Sequence, residues 1–291
     1  METCVICMTS IGENGTRGTV DSLGYDTSIQ LIHGKVGTKA DFTILRQTDG
    51  AWSEPIAQSI LREAFISDSV YGMISSSGKV GIIRILGFDM TTPKQFSAEM
   101  DRLIKAGCES FVFDVRNNFG GSLQSIEAIL SYFLSEGDPL IRTVDKAGNE
   151  TVSKVQTISY SGSAKDCSVS KSDIGKYQGL KSVVLCNGAT ISAAELFTAT
   201  FRDYGIGTIV GTKTYGKGTM QHMISLAKYG YSGALKITIA KYYSAKDTEG
   251  YDGVGISPDY TVQLEGEKSI YVREEAEDNQ LSLALGLLEN D

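Results

Sequence analysis

Histidine is nearly absent from this 291-residue chain, which has only His33 and His222. Chemistry that needs a histidine base or a histidine-rich metal site therefore has few candidates. Basic residues are also short, with 27 Lys and Arg against 35 Asp and Glu and a formal charge of −8. No basic run tracks phosphates, so neither nucleic acid nor an anionic membrane surface is the expected partner. A peptide or small molecule fits better. No stretch reaches the roughly 18 to 20 apolar residues of a membrane span. The first residues lack a basic region followed by an apolar one, so no signal peptide is expected in the chain as it stands. Cysteine is sparse and odd in number at five. Cys108 and Cys186 sit in apolar surroundings and read as inert core residues. Cys4-x-x-Cys7 has no second pair to complete a zinc site, so no metal or cofactor is expected.

What is present is globular: 41% hydrophobic and 21% charged residues with four prolines. The span 27–46 reads as helix, glycine turn and strand, and 51–70 as a connector with a helical stretch from Ile56 to Phe65. Val80 to Ile85 is β-rich. Thr92-Pro93 opens a helix with Phe96, Met100, Leu103 and Ile104 at helical spacing, stopped by Gly107. Strand 111–115, a turn ending in Gly120-Gly121 and a helix over about 122–134 follow. Residues 145–179 are polar and read as an irregular excursion. Strand 182–186, helix 192–203, strand 208–210, a strand carrying Lys217, the run 234–239 and a leucine-rich helix over 280–288 complete the pattern. Alternating short strands and helices predict an α/β fold.

Two stretches carry chemistry. Ser192 follows an apolar strand and a glycine-containing turn at a predicted helix start. Backbone N–H groups and the helix dipole would there favour a developing oxyanion. Ser192-Ala193-Ala194-Glu195 is equally a capping box, in which the serine only satisfies a backbone donor. Lys217, between Gly216 and Gly218, lies far enough along for one helix and one strand to bring it back to Ser192. A lysine base must be neutral near pH 7, a fall of about 3 units from about 10.4 at a cost of about 4 kcal/mol. The flanking glycines would let backbone and substrate approach it. Gln221, four residues on, shares a strand face with it and can hold the amine, while His222 points the other way. The run Gly211 to Lys217 also matches the first seven positions of a P-loop, but Gly218 replaces the magnesium-binding Ser or Thr and a strand follows. Ser76/Lys79 and Ser168/Lys171 are short Ser-x-x-Lys matches in polar loops with no partner motif. Asp114-Val115-Arg116-Asn117-Asn118-Phe119-Gly120-Gly121 is a strand-to-helix turn whose glycines turn N–H groups toward a ligand. Asp114 and Arg116 can pair to hold it.

Four blocks together resemble the carboxyl-terminal processing, or tail-specific, proteases of the S41 peptidase type: Phe113 to Gly121, Asn187 to Glu195, Thr214 to Gln221 and Gly253 to Asp259. The resemblance covers about Val80 to the C-terminus. It implies a ClpP/crotonase-like β/α spiral core over 80–291, a connector over 51–79 and a truncated PDZ-like segment over 1–50, with the chain beginning inside that domain. It implies Ser192 as nucleophile, Lys217 as general base and Gln221 as its orienter, with an oxyanion hole from the N–H groups of Ala193 and the Gly120–Gly121 turn. The implied substrates are polypeptides cut near unstructured C-terminal tails, and the implied location is outside the cytoplasm. Ile191 and Phe119 depart from the family's usual alanine-serine run and Asn-Pro-Gly-Gly. An inactive peptide-binding protein on the same scaffold and a P-loop-like nucleotide binder are the alternatives.

Overall fold

The computed structural model describes residues 3–5, 19–48, 51–65, 67–247 and 250–289. Cys7 lies outside them. The chain divides into residues 1–67 and 68–291.

The first unit holds β1 (Thr3–Val5), α1 (Val20–Leu23), α2 (Tyr25–Ile32), β2 (Lys39–Thr48), β3 (Ala51–Trp52) and β4 (Ile56–Leu61). Strands β1, β3 and β4 all pair antiparallel with β2. The helix expected over 56–65 is therefore corrected to a strand. Ile56 and Ile60 have helical spacing, but short apolar runs are ambiguous by periodicity alone. Pairing with Lys39 to Ile44 of β2 decides the outcome. Arg62 then donates to the Leu31 and Ile32 carbonyls at 2.8 and 2.7 Å. These are end groups of α2 without an intrahelical partner, at the pole where a cation is favoured.

The second unit runs β5 (Val70–Ile74), β6 (Val80–Ile85), α3 (Thr92–Lys105), β7 (Ser110–Asp114), α4 (Leu123–Ser131), β8 (Pro139–Asp145) and β9 (Glu150–Lys154). It continues with β10 (Lys181–Cys186), α5 (Ala193–Asp203), β11 (Gly207–Gly211), β12 (Thr219–Ser225), β13 (Ala234–Ser244), β14 (Tyr260–Thr261) and α6 (Asn279–Glu289). The expected connector over 51–79 is thus absorbed by β3 and β4 on one side and β5 on the other. Part of the expected irregular excursion is the β8–β9 hairpin.

Six strands form the main sheet in the order β14-β11-β10-β7-β6-β5. Strands β6, β7, β10, β11 and β14 are parallel and add in chain order, while β5 pairs antiparallel at the edge. This outward stepping is the β/α spiral. Strand alternation separates two cores. Ile83, Ile85, Phe111, Phe113 and Val184 face α3, α4 and α5. Val80, Ile82, Val112, Val183 and Leu185 face Leu281, Ala284 and Leu285 of α6. A second antiparallel sheet, β12-β13-β8-β9, carries the segment that follows Lys217.

Helix α3 begins with Pro93 in its first turn and is followed by Gly107 at φ 99°, the residue types favoured at those two ends. Phe113 lies at the centre of the larger core, with ring centroids of Phe201, Phe133, Phe96 and Phe197 at 5.4, 5.5, 5.7 and 5.8 Å. Phe113→Ala should lower stability by about 3–5 kcal/mol, seen as a fall in the urea midpoint.

A buried ionic network anchors the C-terminal segment to β7. Arg116 donates to both oxygens of Asp114 at 2.9 and 2.8 Å, to both of Asp278 at 3.0 and 2.7 Å, and to Gln280 at 2.9 Å. Burial pushes the Asp278 carboxyl up, but hydrogen bonds and charge from Arg116 outweigh it and hold the group below its ordinary value. A depressed carboxylate contributes stability above its unfolded pKa of about 3.9 that is lost as pH falls through the lower folded value. The urea midpoint should therefore drop on acidification below about pH 4, and Asp278→Asn should remove Asp278's share of that limb while lowering the midpoint at neutral pH.

Candidate active site

The turns after β7 and β10 leave the C-terminal ends of neighbouring parallel strands, the usual ligand side of such sheets. Side-chain amides join them. Asn187 accepts from the Asn117 N–H at 3.0 Å and donates to Asn117 Oδ1 at 2.8 Å. Thr190 donates to the Val115 carbonyl at 2.9 Å, and the Ile191 N–H donates to the Asn118 carbonyl at 2.9 Å. A Cβ on Gly120 would lie 2.7 Å from the Ile191 carbonyl oxygen and 2.8 Å from both Ala193 N and Ser192 Cβ. Only glycine lets these two turns meet so closely.

Ser192 sits immediately before α5 with φ 61° and ψ −119°. A non-glycine residue in that region is strained and persists only where its surroundings hold it. Of the predicted capping box, the Glu195 carboxylate accepts from the Ser192 N–H at 3.0 Å, while the Ser192 hydroxyl makes no capping hydrogen bond. The serine hydroxyl lies 3.2 Å from the Tyr242 phenol.

Glu195 is fully buried and its carboxylate has four donors. One oxygen accepts from Thr214 Oγ1 at 2.7 Å and the Gly216 N–H at 2.6 Å. The other accepts from the Ser192 N–H at 3.0 Å and the Lys217 N–H at 2.8 Å. A single carboxylate oxygen thus ties the serine backbone to the lysine backbone. The same bonds dispose of the P-loop reading. Backbone N–H groups that would cradle phosphate already face a carboxylate, and the segment continues into strand β12 rather than a helix.

Lys217 lies in the loop before β12 and not on the strand expected for it. Its flanking glycines serve packing. A Cβ on Gly216 would lie 2.7 Å from Gly255 N, and one on Gly218 would lie 2.9 Å from Asp252 Cβ. The block from Gly253 to Asp259 is therefore a buttress for the lysine loop. Among the described residues, no hydrogen bond joins Lys217 Nζ to Ser192 Oγ or to Gln221. Because Lys217 precedes β12, the strand alternation assumed from it to Gln221 does not apply; the β12–β13 register shifts opposite Met220 and Gln221, where Ile239 is the extra residue, on β13. Both Gln221 and His222 border the same cavity of about 730 Å³ as Ser192 and Lys217. His33 follows α2 in the other unit.

The expected oxyanion donors divide. The Gly120 N–H is taken by Asn118 Oδ1 at 2.8 Å, which corrects its assignment as a free donor. The Ala193 and Gly121 N–H groups have no partner among the described residues, and Gly121 borders the cavity. Cys108 and Cys186 are buried, and burial pushes the Cys186 thiol up to about 12 and the Cys108 thiol above its ordinary value. No group of His, Cys, Asp or Glu among the described residues is arranged to hold a metal ion.

The model of peptidase family S41 matches residues 79–262, more than half of the chain. The chain belongs to peptidase family S41. The carboxy-terminal processing protease CtpA of Bacillus subtilis (strain 168) is 28% identical over 246 residues, covering 84% of this chain and 47% of that protein. This S41 chain therefore spans about half the length of that curated relative. A solved photosystem II D1 C-terminal processing protease shares the fold at a TM-score of 0.53 and 22% identity, covering 89% of this chain and 63% of that one. A lipoprotein from Streptococcus agalactiae does so at 0.54 and 20%, covering 67% and 66%. The expected α/β spiral of an S41 protease is the fold observed.

Two residues of this S41 site escape sequence reasoning. Glu195 reads only as a capping partner, although a carboxylate just inside an apolar helix, with no cation nearby in sequence, signals backbone donors from elsewhere. Tyr242 has no comparable signal. Glu195→Gln would place an amide NH2 against two N–H or O–H donors. It should cost about 1–3 kcal/mol for each donor left unsatisfied, measurable as a lower urea midpoint.

Proposed function

We propose that this chain is a serine endopeptidase that uses Ser192 and Lys217 to cleave polypeptides near their C-termini. The observation that carries this reading is the Glu195 carboxylate, which holds the strained serine and the lysine loop at the edge of one cavity. Ser192 Oγ attacks the scissile carbonyl while Lys217 Nζ takes its proton. The N–H groups of Ala193 and Gly121 receive the oxyanion, a role in which one donor is commonly worth about 10²–10³ in rate. Lys217 then protonates the leaving amine, and water enters by the reverse route to release the acyl-enzyme. Gln221, at the cavity rim, orients the amine when it swings toward the serine. Substrate lies as an added strand beside the β-structure around the cavity.

Family resemblance supports three further parts of the proposal: disordered tails as substrates, a location outside the cytoplasm and a PDZ-like character for residues 1–50. No helix among the described residues is long and apolar enough to cross a membrane.

A second reading, a peptide-binding protein that does not cut, is favoured by one observation: Lys217 Nζ makes no hydrogen bond to Ser192. A fluorophosphonate probe followed by peptide mass spectrometry separates the two. Labelling at Ser192 is expected, and its absence in a folded protein supports the inactive binder. Ser192→Ala should lower cleavage of an unstructured peptide by about 10⁴-fold or more with the circular dichroism spectrum unchanged. Lys217→Ala should lose activity across the accessible pH range. Retained turnover in either variant would overturn the assignment.

A further inference from the structure

Tyr242 touches both partners of the proposed pair. It lies on β13, is 3% exposed, and its phenol oxygen is 3.2 Å from Ser192 Oγ and 2.8 Å from the Lys217 carbonyl oxygen. The Tyr242 N–H donates to the Gly218 carbonyl at 2.9 Å, and its ring meets that of Tyr251 edge-on at 6.2 Å. Backbone and ring are thereby held from two sides, so the position of the hydroxyl is set by the fold.

A phenol has one proton, and this one lies within hydrogen-bond distance of two acceptor oxygens, with the Tyr251 phenol also beside it. The carbonyl can only accept. When the proton lies on the shorter bond, to the Lys217 carbonyl, the phenol oxygen presents lone pairs to Ser192. Toward Ser192 the geometry has the phenol as donor and the serine oxygen as acceptor, and Lys217 Nζ makes no hydrogen bond among the described residues. The alternative orientation, phenol O–H toward Ser192 Oγ, is the one useful when that oxygen carries negative charge. Burial pushes the phenol up to about 12, so it remains a neutral donor throughout the pH range of ordinary assays.

We propose that Tyr242 is a further catalytic residue, which holds the Ser192 hydroxyl in the resting site and donates to Ser192 Oγ as charge develops there. This inference rests on the Ser192–Lys217 reading above. As the serine proton passes to Lys217 Nζ, the tyrosine O–H turns from the Lys217 carbonyl to Oγ. No proton leaves the tyrosine. The O–H bond stays intact and only its acceptor changes, so Lys217 ends as the ammonium. During deacylation the same O–H supports Oγ as the departing oxygen. A donor to a developing charge is worth about 1.5–3 in kcal/mol, which corresponds to a rate change of about 10- to 100-fold.

Tyr242→Phe removes the hydroxyl and keeps the ring packing. It should lower kcat on an unstructured peptide about 10- to 100-fold with KM within about twofold, and slow fluorophosphonate labelling of Ser192 by a similar factor. Replacing Tyr242 with 3,5-difluorotyrosine changes phenol acidity at nearly constant size. A catalytic donor makes kcat shift by more than about twofold, whereas an anchor for the Lys217 carbonyl leaves it at the wild-type value. Wild-type labelling and turnover in the phenylalanine variant, or unchanged kcat in the fluorinated one, would overturn the role of Tyr242 and leave the Ser–Lys reading standing. A wild-type protein that neither cleaves nor labels would overturn both.

Discussion

A single buried carboxylate organises the site. Glu195 stands in the first turn of α5, where the helix dipole and unpaired N–H groups favour a negative charge. Its two oxygens collect donors from Ser192, Thr214, Gly216 and Lys217. No cation is required, because four donors fill the lone pairs that burial would otherwise leave costly. One consequence is geometric: the nucleophile turn and the lysine loop, remote in sequence, cannot drift apart while that charge is satisfied. Another is energetic. The strained backbone of Ser192 is held partly by its own N–H bond to this carboxylate, so strain and clamp are parts of one arrangement.

Around the clamp, glycines act as points of close backbone approach. Gly120 brings the β7 turn against Ser192 and Ala193, and Gly216 brings the lysine loop against the turn at 251–255. Both have positive φ, at 91° and 93°, so a side chain would be strained as well as crowded. The paired amides of Asn117 and Asn187 hold the strand ends in register, while Arg116 ties the β7 turn to the C-terminal segment through Asp278. The site is thus supported from three separate parts of the chain.

Much of this was legible in residue order. Val80 to Ile85, Phe111 to Phe113 and Val183 to Cys186 alternate between two cores, and apolar faces on both sides make them short continuous apolar runs. Phe96, Met100 and Leu103 show the buried stripe of α3. Ser192, Lys217, Gln221 and the double-glycine turn all fall around the same cavity or its wall. The failures share a cause, which is that local pattern does not reveal partners. Ile56 to Leu61 became β4 because β2 was available to pair. His222 borders the cavity beside Gln221, because the cavity wraps around β12 in a way that strand alternation does not reveal. Gly120 lost its donor role because Asn118, two residues earlier, turns its side chain back onto it.

The amino-acid sequence alone determined which groups were at hand: a serine at a helix start, a lysine in a glycine-rich stretch and almost no histidine to compete with them. Those follow from residue identity and short-range periodicity. Tertiary structure decided how the groups meet. Glu195 became a clamp only when the lysine loop folded over α5, and Tyr242 reached the serine only when β13 paired beside β12. Such contacts join residues many positions apart, and their strength depends on burial and alignment that no local window contains. Sequence position alone therefore does not decide between cap and nucleophile for Ser192; the partners that the fold brings to it do.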